Sequence, residues 1–208
     1  MKKKAAVSNK MSRMIAHILV LIPLITLLWD LQFDNLTANP IQNIMSRTGL
    51  PALILLVIVL SITPLRKIFG FNGLIQYRRL TGLYAFMYAS IHFMVFVGLD
   101  YGFDVNLLRY SVFKKPYVVL GLLAYLTLVP LAITSTTKWI SRLGKNWKIL
   151  HKLIYVTCIL AVAHYIWAVK SDVRQPLLFA FIVILMLLYR LPLVNRILYL
   201  MKDRWRSK

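Results

Sequence analysis

Apolar residues along this chain fall in six long runs, separated by short polar segments rich in lysine and arginine. The runs are Met14–Trp29, Leu50–Leu65, Leu80–Leu99, Pro116–Thr134, Ile149–Val169 and Pro176–Val194. A hydrocarbon core about 30 Å thick takes roughly 20 helical residues to cross, and the runs are of that order, the first rather short. Backbone N–H and C=O groups have no water to bond in lipid, so each run is predicted to be an α-helix. None shows the alternating pattern of a membrane β-barrel strand. The expected fold is all-α: a bundle of about six transmembrane helices. A basic segment, 1–13, precedes it, the helical domain occupies 14–194, and a basic tail covers 195–208.

The connections refine this picture. The longest, Asp30–Gly49 and Asp100–Lys115 on one side, Arg66–Arg79 and Ser135–Lys148 on the other, leave no room for a second domain. Pro116 and Pro176 sit at first-turn positions, where a missing N–H costs nothing. Pro23 and Pro130 fall inside runs and are expected to kink them. Trp29, Tyr101, Tyr117, Trp139, Trp147 and Trp167 gather near the ends, as an interfacial aromatic belt does. No internal repeat, low-complexity tract, glycine-rich phosphate loop or nucleotide fingerprint is expected.

Composition and charge decide the partner class. Hydrophobic residues make up 60% of the 208, with mean hydropathy +0.70, against 45–50% in a typical soluble domain. The net charge of +20 invites a nucleic-acid reading, but its distribution argues otherwise. With the N-terminus inside, 20 of the 26 basic residues fall in inner segments and five of the six acidic ones outside. That is the positive-inside pattern, and it sets both termini in the cytoplasm, with the basic tail drawn to anionic lipid. Met1–Ala6 resembles the start of a signal peptide, yet no small-residue cleavage site follows, so the first span is expected to be retained. The one cysteine, Cys158, lies mid-span and reads as a buried structural thiol.

The remaining candidates for chemistry are four histidines. The chain has no glutamate, and no aspartate lies mid-span, which weighs against a proton-coupled transporter. An ionisable residue within a span points to function. The third and fifth spans run parallel. His92 lies twelve residues past Leu80 and His164 fifteen past Ile149, so both sit in the outer half at a shared depth. Two neutral imidazoles so placed on neighbouring helices can bind one haem iron from opposite sides. One level inward stand His151 and Arg78. Arg78 precedes His92 by fourteen residues, nearly a whole number of turns; His151 precedes His164 by thirteen, leaving an offset of about 140° on a straight helix. The two levels on the fifth span therefore face differently, or that helix is distorted. Arg78 is a poor iron ligand but could pair with a haem propionate. His17 has no obvious partner and reads as structural. Each histidine also has a plainer reading, a hydrogen bond between helices for His92 and His164, an interfacial position for His151.

Several stretches resemble a known family. RRLTGLYAFMYASIHF (Arg78–Phe93) and SRLGKNWKILHKLIYVTCILAVAHYIWAVK (Ser141–Lys170) are similar to the third and fifth spans of the MsrQ (formerly YedZ) family. LSITPLRK (Leu60–Lys67) and KKPYVVLGLLAYLTLVPLAITST (Lys114–Thr136) resemble its second and fourth spans. The LGKxWxxLHxxxY and HYxW elements are the most specific; the first 40 residues match only in character. The resemblance implies a ferric-reductase-like, haem-binding transmembrane domain in the bacterial inner membrane, an electron-transfer subunit and not the catalytic one. It implies b-type haem, one or two groups, with FMN also associated. Electrons would come from the inner side, through quinone or a cytosolic flavin reductase. They would go to a periplasmic molybdopterin-containing methionine sulfoxide reductase that repairs oxidised envelope proteins. Carried residue by residue, His92 and His164 are the outer haem ligands and His151 the inner one. Arg78 stands where relatives in the wider superfamily have a histidine. The outer acidic residues Asp30, Asp34, Asp100 and Asp104 are candidates for docking the partner, solvated loop charge being the plainer reading. Alternatives are a haem reductase of another acceptor such as ferric iron, a small transporter, or a cofactor-free membrane anchor.

Overall fold

The computed structural model describes residues 2–191, with side chains from Lys10 onward. The expected tail, 195–208, and the end of the sixth run lie outside the described residues. The described chain is helical, without strands. Five helical stretches are long and apolar enough to cross a membrane: Lys10–Gln32, Pro40–Phe69, Asn72–Asp100, Pro116–Ile133 and Lys145–Ala168. The protein is a multi-pass membrane protein. The sixth expected span appears as a shorter apolar helix, Arg174–Leu188.

Helix α1 (Lys2–Gln32) runs unbroken through the expected boundary at residue 13. Helix α2 (Pro40–Phe69) starts on a proline, with the Asn39 side chain accepting from Gln42 N at 3.2 Å, and stops at Gly70, whose φ of 74° is open to a residue without Cβ. After a 3₁₀ turn (Asn72–Tyr77), α3 (Arg78–Met94) passes directly into a π-helical turn, Val95–Asp100. The short helix α4 (Val105–Lys114) is capped by Asp104, whose Oδ1 accepts from Asn106 N and Leu107 N. Helix α5 (Pro116–Ile133) opens on proline as expected. Then come α6 (Thr137–Leu143), α7 (Lys145–Leu150), α8 (Leu153–Ala168) and α9 (Arg174–Leu188). The fifth run is therefore not one straight helix: it breaks at His151 and Lys152, between α7 and α8. Of the two alternatives left by the offset between His151 and His164, the run is distorted between them.

The core is shared by α2, α3, α5 and α8, with α9 packed on one side. Leu56, Leu60, Ala85, Tyr88, Leu128, Ile154, Cys158 and Val183 are all buried in it. Cys158 is a buried free thiol, as expected. Helix α1 packs on the edge of this core through Val20 and Leu24, buries Leu27 against Ile44 and Val95, and is also stitched to the 3₁₀ turn and α3 by polar contacts. Tyr77 donates to Ser12 Oγ (2.7 Å), Tyr84 meets His17 Nδ1 (2.6 Å), and Tyr88 donates to Val20 O (2.7 Å). His17 thus gains the partner that the sequence did not suggest, and its role is to join helices.

α2 packs most extensively on α3, and α5 on α8. These two hairpins correspond in sequence. At a constant separation of 72 positions stand Gly49 and Gly121, Leu50 and Leu122, Ala52 and Ala124, Leu56 and Leu128, Val57 and Val129, Ala89 and Ala161, and His92 and His164. The expectation of no internal repeat is corrected here. The repeat is masked because the stretches between the matched positions, 58–88 and 130–160, differ in residue type at most positions.

Candidate functional site

Each hairpin contributes one histidine to a shared cavity of about 810 Å³, within the usual range for cofactor and ligand sites. The ring centres of His92 and His164 stand 6.2 Å apart, with planes at 84°. The two rings are seated alike. His92 Nδ1 is 3.0 Å from Met45 O on α2, and His164 Nδ1 is 2.6 Å from Tyr117 O on α5. A carbonyl can only accept, so Nδ1 carries the proton in both rings and Nε2 keeps its lone pair. Among the described residues no hydrogen bond engages either Nε2.

Two glycines make this seating possible. Each lies one turn beyond the accepting carbonyl. A Cβ at Gly49 would stand 2.9 Å from His92 Nδ1 and Cε1; one at Gly121 would stand 2.8 Å from His164 Nδ1 and 2.9 Å from Cε1. Without a side chain there, the imidazole lies flat enough on the helix to reach its backbone. Sequence reasoning missed both glycines, although the separation of 72 that links the two histidines also links Gly49 to Gly121. It also missed Tyr125, which stacks between Phe93 (4.9 Å, 13°) and Phe86 (5.9 Å, 5°) and lines the cavity with Phe93.

The inner level is distinct. His151 does not line the cavity. Its Nε2 is 3.1 Å from Thr134 Oγ1, and its ring lies 4.0 Å from that of Trp147, which donates Nε1–H to Thr134 O at 2.9 Å. Because Thr134 Oγ1 donates to Pro130 O (2.6 Å), it accepts from His151, leaving His151 Nδ1 with the lone pair. Arg78 lies within electrostatic reach of His151 and is also absent from the cavity wall.

Haem, which the resemblance implies, can be tested against the cavity. An imidazole nitrogen about 2 Å from a metal places its ring centre roughly 3 Å away, so two axial rings stand about 6 Å apart. The observed 6.2 Å fits, as do the tautomers and the cavity size. The lining is mostly apolar, and its one charged side chain among the described residues is Asp100. Of the other acids expected to face outward, Asp30 is paired with Arg47 and Asp104 caps α4, which leaves Asp34 and Asp100 as the freer carboxylates.

The fold and site together define a multi-pass helical membrane protein of ferric-reductase type. The family described as "Ferric reductase like transmembrane component" matches residues 43–162, the span from the start of α2 to the outer half of α8. No solved structure matches the chain. A protein of Xanthomonas campestris pv. campestris (strain 8004), named protein-methionine-sulfoxide reductase heme-binding subunit MsrQ, is 46% identical over 194 residues, 90% of this chain and 88% of its own. Proteins of the same name from Xanthomonas axonopodis pv. citri (strain 306) and Herminiimonas arsenicoxydans are 43% identical over 194 residues and 46% identical over 160. The second of these alignments covers 76% of this chain and 73% of the relative. The chain belongs to the MsrQ family.

Proposed function

We propose that the chain is the haem-carrying electron-transfer subunit of a methionine sulfoxide reductase system in the bacterial inner membrane, with both termini cytoplasmic. The observation that carries this reading is the pair of Nδ1-protonated imidazoles, 6.2 Å apart across one apolar cavity. His92 and His164 hold a b-type haem through Nε2. Haem supplies one-electron redox chemistry; the chain supplies ligands, burial and orientation. Met45 and Tyr117 carbonyls hold each imidazole in one tautomer and direction. Leu53, Leu56 and Leu128 keep water from the cavity wall and lower the local dielectric. His151, with Arg78 in reach, defines the inner level, where a second haem would take His151 as its imidazole and Arg78 as a propionate partner. The catalytic partner is a periplasmic molybdopterin-containing reductase of methionine sulfoxide. Asp34 and Asp100 on the outer face serve its docking, as weak redox encounters do. Electrons enter from the inner side, from quinone or a cytosolic flavin reductase. FMN rests on the family resemblance, with no residue assigned to it. The ferric-reductase-type match favours one second reading, in which the acceptor is ferric iron.

The test is the visible spectrum of the detergent-purified protein, oxidised and dithionite-reduced, for wild type and His92→Ala. A Soret band with sharp reduced α and β bands, lost or shifted in the variant, is expected. A colourless wild type from cells supplied with haem precursor would sink the reading and return a transporter to consideration.

A further inference from the structure

The two histidines are seated alike but not identically, and the internal repeat shows where they differ. His164 Nδ1–H meets a single acceptor, Tyr117 O, at 2.6 Å. His92 Nδ1–H meets two: Met45 O at 3.0 Å and Thr48 Oγ1 at 3.3 Å. Thr48 is fully buried, at 0% exposure. The position that corresponds to it in the second hairpin is Leu120, which has no hydroxyl. A threonine that bonds its own helix is commonplace, and Thr48 does so, donating to Ile44 O at 2.8 Å with Met45 O at 3.1 Å. What is not commonplace is its third contact. With its hydrogen given to a carbonyl, the hydroxyl oxygen presents a lone pair to the imidazole N–H.

We propose that Thr48 is a positioning residue that makes the two haem-ligating imidazoles unequal, by sharing the Nδ1 proton of His92 with the Met45 carbonyl. This rests on the reading that His92 and His164 carry a haem. A second acceptor pulls harder on the Nδ1 proton, which raises the electron density at Nε2 and favours the higher oxidation state of a bound metal. The hydroxyl also competes for Met45 O, which works the other way. Its shorter bond is to Ile44 O, so the contact with the imidazole dominates. Through Thr48, His92 is a stronger donor than Met45 O alone would make it, and the potential of the site is set lower than the two carbonyls alone would set it.

The test uses the full-length, haem-loaded protein with Thr48→Val, which keeps the shape and removes the hydroxyl, and Thr48→Ser, which keeps the hydroxyl. Potentiometric titration is read together with the low-spin ferric electron paramagnetic resonance signal. Thr48→Val is expected to shift the ferric/ferrous equilibrium about fivefold toward the ferrous form, roughly 40 mV upward at 59 mV per tenfold for one electron. Its resonance positions should move as well. Thr48→Ser should stay near wild type. If Thr48→Val loses haem while Thr48→Ser keeps it, the positioning role also stands. An unchanged Thr48→Val, or equal shifts in both variants, overturns the role of the hydroxyl while leaving the haem site intact. A wild type without haem overturns both.

Discussion

Replacing Gly121 with alanine tests whether the seating of the imidazoles governs cofactor retention. The added Cβ would stand 2.8 Å from His164 Nδ1, 2.9 Å from Cε1 and 3.4 Å from Cγ. Contacts that short do not persist, so the ring must retreat by about half an ångström to reach ordinary packing. It retreats along the direction that breaks its bond to Tyr117 O, now 2.6 Å. Overpacking of this kind costs about 1–3 kcal/mol. If that cost falls on the ligand-competent geometry, it weakens cofactor binding about 5- to 150-fold at 1.4 kcal/mol per tenfold. The assay is haem content per protein after detergent purification, with the reduced spectrum as the measure of six-coordination. Gly49→Ala should behave alike, since its Cβ would meet His92 at 2.9 Å. Gly73→Ala, with nothing within 4 Å of its Cβ, is the control. Gly121→Ala with full haem content and an unaltered reduced spectrum would refute the reasoning.

Two further outcomes follow from the packing. Pro64 lies inside α2 and has no N–H, so Leu60 O lacks its usual helical donor. Arg190 Nη2 supplies one at 2.8 Å while its guanidinium lies 4.9 Å over the Tyr155 ring. Arg190→Leu should destabilise the bundle by about 1–3 kcal/mol, the cost of an orphaned carbonyl. That cost should shrink in a Pro64→Ala background, where residue 64 donates again; equal costs in both backgrounds by thermal unfolding in detergent would reject the assignment. Where α4 joins α5, the Tyr101 hydroxyl accepts from Lys115 Nζ at 2.9 Å, and this bond raises the Lys115 pKa. A raised lysine contributes stability below its unfolded value of about 10.4 and loses it as pH climbs through the folded value. Hydrogen exchange of α4 should therefore accelerate with an extra alkaline step above that value in wild type and without it in Tyr101→Phe; superimposable profiles would argue against the link.

Much of the architecture is legible in the sequence because lipid imposes a simple rule, a long apolar run for each crossing. Proline at 116 marks a helix start as first-turn chemistry requires, whereas α2 begins at Pro40, ten residues before the expected run at Leu50, because the Asn39 cap and Pro40 start the helix within a polar stretch. Depth is legible too, since 1.5 Å per residue converts position into level, and this placed His92 and His164 together before their ring separation was known. Which faces meet is not legible. The break at His151–Lys152 and the π turn beyond His92 both rotate side chains relative to an ideal helix, and no local residue signals either. Gly49 falls at the end of a connection and Gly121 inside an apolar run, and in both places a glycine reads as tolerated. Their meaning appears only against a histidine on another helix. His17 likewise acquired its role from Tyr84, 67 residues away.

The repeat gives the site a physical logic that neither hairpin has alone. Each pair of helices presents one carbonyl, one glycine and one imidazole. A single hairpin would leave an imidazole on its surface with Nε2 unsatisfied in lipid, at a cost. Docking the hairpins brings the two rings within 6.2 Å of each other across a cavity lined by both. Two imidazole lone pairs in an apolar wall do not satisfy one another. A group that bound both halves would add to the stability of the docked state. A transporter path would need histidines in file along one route. Here two of them share one cavity, each held by a backbone carbonyl, and that arrangement suits a fixed ligand better than a moving one.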